Sequence, residues 1–149
     1  MSACPTPATA KHSLGDHVAD KGAQLHAKYG PRIGWQQLQE VLLDRSLVRY
    51  PCTIDFSTDG LREGEFAYPH PLGDTPEDGF SIRVHPLFMT ELELVPHLVL
   101  YQLVAVNYGE FASGDDAEAF GAAALGLDPQ DYYDTLCRLA DQLDGCGCG

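Results

Sequence analysis

His97 has the most chemistry to offer, because of where it falls. It sits near the start of residues 95–108, VPHLVLYQLVAVNY, whose Leu98, Val99, Leu100, Leu103, Val104 and Val106 point to nearly every side of a helix. Tyr101 follows four residues on, one turn along the same face, and Val104 and Tyr108 continue the stripe. Polar rings on a buried helix must find partners, since burying one unpaired costs about 1–3 kcal/mol. A structural reading has His97 and the tyrosine hydroxyls satisfying one another or nearby carbonyls. A functional reading gathers His97, Tyr101, Asn107, Tyr108 and Glu118 into one pocket.

The functional reading gains from the order of elements. A predicted strand over residues 80–84 leads through a short connection into the buried helix, and a second helix bearing Asp115, Asp116 and Glu118 follows. This order resembles the small zincin-like metallopeptidases, in which a helix carrying H-E-x-x-H packs beneath a short sheet and a third ligand arrives from downstream. The run Asp116-Ala117-Glu118-Ala119-Phe120-Gly121-Ala122-Ala123-Ala124-Leu125 is similar to the acidic, Ala- and Phe-rich helix that supplies a glutamate in one branch of that superfamily. The resemblance spans residues 50–127 and is one of layout.

In the motif two imidazoles bind zinc and the glutamate beside the first acts as general base. Here His97-Leu98-Val99-Leu100-Tyr101 keeps the first histidine alone. Leu98 cannot accept a proton, Tyr101 is a poor zinc donor with a phenol pKa of about 10, and Asn107 stands ten residues on, where another branch has its third histidine. The resemblance therefore implies a non-catalytic domain on a zincin-like framework, its metal and base positions lost, acting through a pocket or an acidic surface. One alternative is a metal-dependent hydrolase, with zinc held by His85, His97 and a downstream carboxylate, Glu118. Another is an acidic interaction subunit or homodimer using Trp35, Tyr132 and Tyr133 as contacts.

Other chemistry finds less footing. There is no G-x-S-x-G, no G-x-G-x-x-G and no Gly-rich loop ending in Lys-Ser or Lys-Thr. Asp55, Asp59, Glu63 and Glu65 read as a solvated turn, His70 falls in a Pro-rich turn region, and His12, His17 and His26 lack helical register and read as solvated. Cys52 and Cys137 read as buried thiols on a strand and a helix. The terminal Cys146 and Cys148 offer a C-x-C pair to a soft metal, although structural zinc needs four ligands, and a frayed tail is the plainer reading.

The elements that must carry these residues are legible from periodicity and punctuation. Helices are expected over residues 15–28, with Leu14, Val18 and Leu25 inward, and over 35–47, with Trp35, Leu38, Val41 and Leu42 inward. Residues 50–56, 64–68 and 79–85 read as strands of a small, mostly antiparallel sheet. Three helices follow: the run ending near Gly109, a second capped by Ser113 and Asp116 with a small-residue face, and a third opening at Asp128-Pro129 with Tyr132, Leu136, Leu139, Ala140 and Leu143 inward. The class is α+β, with the sheet packed against helices, a buried central helix and a C-terminal helical pair. One domain over residues 13–144 is expected, between a disordered tail over 1–12 and a flexible Cys/Gly tail over 145–149.

At 149 residues with 44% hydrophobic content, the chain suits a single core of its own. Nine Lys and Arg against 22 Asp and Glu give a formal charge of −13. That field has the wrong sign for a nucleic-acid backbone or an anionic membrane. Residues 84–149 hold eleven acids and Arg138 as their one base, so the acidic excess belongs to the C-terminal helices. Neither a secretory signal nor a run of about 20 apolar residues is present, and a cytoplasmic setting is expected.

Overall fold

The computed structural model describes residues 7–147, with side chains from Leu14 to Leu143 apart from Glu110. Helices α1 (Pro7–Tyr29) and α2 (Trp35–Leu43) come first, then strands β1 (Cys52–Phe56), β2 (Ala67–Pro71) and β3 (Phe80–Val84). Helices α3 (Val95–Tyr108), α4 (Gly114–Leu125) and α5 (Pro129–Gly147) complete the chain. The class is α+β. Helix α1 starts ahead of the expected Gly15 and α5 runs to Gly147, so both enter the segments read as tails; residues 1–6 and 148–149 lie outside the described residues. Helix α2 stops at Leu43, short of residue 47, because Asp44 turns extended and its side chain bonds to Ser46.

The sheet is mixed rather than mostly antiparallel. Its order is β1-β3-β2, with β1 parallel to β3 and β2 antiparallel to it. The prolines explain the inversion of order. Pro69 and Pro71 lack N–H groups, which confines β2 to an edge. Central place goes to β3, whose Ile82 and Val84 are fully buried. The second strand also begins at Ala67 rather than residue 64, so His70 stands within it, opposite Ser81, and not in a turn.

Helix α3 is the buried centre. It packs against β2 and β3 on one side and α4 on another, and Leu98, Val99, Leu100 and Leu103 have no exposure. Pro96 occupies its first turn and Gly109 ends it. Helix α4 opens on a capping box, Ser113 Oγ accepting from the Asp116 N–H while an Asp116 carboxylate oxygen accepts from the Ser113 N–H at 2.9 Å. It closes at Gly126, whose φ of 69° lets Leu127 N–H reach the Ala122 carbonyl at 2.9 Å.

The small face of α4 is used twice. Gly22 of α1 lies so near that a Cβ there would fall 2.5 Å from the Phe120 carbonyl oxygen and 2.8 Å from Ala123 Cβ. On its other flank, Gly121 receives the ring of Tyr132 from α5. His26 is not solvated: it is half-buried, with Nδ1 3.1 Å from the Ala124 carbonyl at the end of α4. His17 is exposed, with its ring edge-on to Tyr108, and the side chain of His12 lies outside the described residues.

Candidate functional site

The five residues expected to share a pocket are dispersed over four hollows. His97 lines one of about 360 Å³ with Arg32, Ile33 and Glu93. Tyr101 lines one of about 160 Å³ between α3 and α4. Glu118 faces a hollow of about 430 Å³ beside Asp115, Gln130 and Tyr133. Asn107 and Tyr108 open onto the largest, about 740 Å³. Helical geometry explains the dispersal. From His97 to Tyr108 is eleven residues, about 16 Å of rise at 1.5 Å each, so one face of α3 passes several neighbours before it ends.

His97 is half-buried rather than a core residue. Its Nδ1 is buried and makes no hydrogen bond of good geometry among the described residues. Burial pulls the imidazole pKa below its ordinary value, Arg138 adds to this, and the Leu94 backbone opposes it. No tyrosine hydroxyl pairs with the ring; of the two expected partners, one another or a nearby carbonyl, the carbonyl is the one found. Tyr132, fully buried, donates its hydroxyl to the His97 backbone carbonyl at 2.6 Å instead of to the ring. Tyr101 stands edge-on to Phe66, and burial, then Glu118 and Asp115, raise its pKa. Burial, then Asp115, likewise raises that of Glu118.

His85, His97 and Glu118 do not fit a zinc ion. They line three separate hollows. His85 Nδ1 is taken, accepting from the Leu87 N–H at 3.1 Å to start the turn Pro86–Thr90. Among the described residues no three His, Cys, Asp or Glu side chains are grouped to hold a metal; the side chain of Cys146 and all of Cys148 lie outside them. Cys52 is partly buried, its thiol pushed up to about 11 by burial. Cys137 is exposed, not buried, because α5 turns Tyr132, Leu136, Leu139 and Leu143 inward and leaves residue 137 on the far side. The aromatic contacts divide similarly. Tyr133 is exposed, but Tyr132 is core and Trp35 is half-buried, stacked on Phe56, so neither offers a free face.

The groove of about 740 Å³ is the feature the sequence reading missed, except for two of its residues. Tyr68, Pro69 and Pro71 of β2 and Phe80 of β3 form one wall, and Gln102, Ala105, Val106 and Tyr108 of α3 the other. Tyr50 and Arg49 close an end, Tyr50 tilted against Phe80 at 6.2 Å between centroids. Asn107 fixes that end. Buried, it donates Nδ2 to the Leu47 carbonyl at 2.8 Å and accepts the Arg49 N–H on Oδ1 at 2.9 Å. The Arg49 side chain returns the contact, Nη1 donating to the Asn107 carbonyl at 3.2 Å and the guanidinium lying 5.3 Å from the Tyr108 ring centroid.

Searches of protein-family models, curated proteins and solved structures found no match to this chain. Among the described residues no helix is long and apolar enough to cross a membrane. What the groove can do chemically follows from its lining. Among the described residues Arg49 is its one charged side chain, and none of its lining side chains is a carboxylate, imidazole, thiol or serine. Burial raises the Tyr108 phenol, with Arg49 opposing, so it holds its proton at neutral pH. The sequence signals for it were Gln102 inside an apolar helix and the aromatic-proline run Tyr68-Pro69-His70-Pro71.

Proposed function

We propose that this chain is a non-catalytic ligand-binding domain on a zincin-like framework, taking a small apolar-bodied molecule in the groove between α3 and the β2–β3 side of the sheet. One observation carries the reading. Among the described residues the largest hollow joins aromatic and proline walls to a single positioned cation and holds no acid–base pair. Its volume is in the range of small-molecule sites, about 300–1,000 Å³. The framework is supported by layout: α3 packs against the sheet, begins near His97, and carries Leu98 and Tyr101 where the motif would carry its base and second ligand. A cytoplasmic setting belongs to the proposal, supported by the free thiols of Cys52 and Cys137. No affinity for nucleic acid is part of it, in keeping with a charge of −13.

The test is amide NMR of labelled protein against a library of small aromatic fragments. Shifts should concentrate on Tyr68, Phe80, Ala105 and Gly109, and Tyr68→Ala should weaken every hit that binds there. Shifts confined to other hollows would overturn the reading. So would turnover of a peptide or ester substrate that His97→Ala abolishes.

A further inference from the structure

Gln102 stands out within the groove. It sits on the most buried helix and is 8% exposed, yet among the described residues its amide has no hydrogen-bond partner. Its oxygen and nitrogen are not among the sealed, unpartnered side-chain atoms, so the amide reaches solvent, lining both the groove and the smaller hollow beside Tyr101. A primary amide presents a donor and an acceptor side by side, so it pairs twice with another amide-like edge. Five residues along α3, Asn107 holds Arg49. There the guanidinium spends Nη1 on the Asn107 carbonyl, and among the described residues no acidic side chain lines the groove to neutralise it. A fork of this kind suits a carboxylate. The rings of Tyr50, Tyr68 and Phe80 line the same groove.

Resting on the proposed binding role of the groove, we infer that its ligand is a planar acid, with a carboxylate for Arg49 at one end and an amide-like edge for Gln102 at the other. Both polar points are fixed before the ligand arrives, Gln102 by burial on α3 and Arg49 by the Asn107 bonds and the Tyr108 ring. Preorganisation of this kind lowers the ordering cost of binding.

Three probes separate the contributions: 4-carbamoylbenzoate, a primary amide with donor and acceptor on one edge, carries both ends, 4-isopropylbenzoate the acid alone and 4-methylbenzamide the amide alone. Titrated by amide NMR and calorimetry, the first should bind about tenfold tighter than either of the others. Gln102→Met should bring it down to the level of 4-isopropylbenzoate. Arg49→Met should bring it down to the level of 4-methylbenzamide. Equal affinities for the three probes, with shifts still in the groove, would overturn the ligand class and leave the binding role standing. Shifts from none of them at the groove would overturn both. The comparison among probes on the unaltered protein decides the matter even where a variant fails to fold.

Discussion

Asn107→Asp tests the latch that positions Arg49. The change is nearly isosteric, so packing stays and chemistry changes. Oδ1 still accepts from the Arg49 N–H, but an anionic oxygen replaces the Nδ2 group that donates to the Leu47 carbonyl at 2.8 Å. Two acceptors then face each other where Asn107 and Leu47 are both buried. Losing the bond, stranding the carbonyl and desolvating a charge together should cost about 2–4 kcal/mol at pH 7.5. For a chain of this size that is roughly 5–15 °C in midpoint temperature. The variant also acquires a pH dependence whose sign is fixed. A protonated carboxyl can donate to Leu47, so the folded-state pKa of the introduced carboxyl rises above the ordinary aspartate value. Stability is then greatest below that ordinary value and falls as pH rises through the folded one. Urea unfolding of both proteins at pH 7.5 and 5 should show the deficit shrinking at the lower pH, whereas Asn107→Leu should show a deficit that pH leaves alone. An Asp variant within about 0.5 kcal/mol of the parent at pH 7.5, or one whose deficit ignores pH, would refute the reasoning.

Two more outcomes follow from contacts on the other flank. Gly121→Ala places a Cβ against Cε2, Cζ and the hydroxyl of Tyr132, a ring held in place by its bond to the His97 carbonyl. Overpacking costs of about 1–3 kcal/mol exceed the helix-propensity gain of about 1 kcal/mol, so the variant should melt lower. In a Tyr132→Leu background the same change should turn neutral or stabilising, and a penalty that persists there would place the clash elsewhere. His97, whose folded-state pKa is lowered mainly by burial, contributes stability that is full above the ordinary His value of about 6.5 and is lost as pH falls toward the folded value. Urea midpoints between pH 7.5 and 5 should fall more steeply for the parent than for His97→Gln, and parallel curves would mean the imidazole titrates as if in solvent.

The helices were legible where local signals agree. Around α3, Pro96 and Gly109 bracket an apolar run, and α4 has Ser113 and Asp116 before its small face. Sheet order was not legible, because a parallel β1–β3 pair is decided by which strand can use both of its edges, and that depends on the prolines of β2. Tyr132 carried both an inward and a contact reading, and the choice needed its partner Gly121, eleven residues upstream on another helix. The dispersal of His97, Tyr101, Tyr108 and Glu118 has the same origin: helical spacing says which residues share a face, not which neighbours that face meets.

The groove lies where three separate requirements of the fold meet. The prolines that confine β2 to an edge also furnish its apolar wall. The Tyr108 ring that closes α3 carries the Arg49 guanidinium, and the Asn107 amide that anchors residues 47–49 aims it. Each device is explained by folding alone, since each satisfies a buried backbone group or ends an element. Gln102 is the exception. Its amide makes no hydrogen bond within the described fold and reaches solvent where it lines the groove. A residue that folding does not need, facing the largest hollow among the described residues, is what makes binding a better account of the groove than imperfect packing.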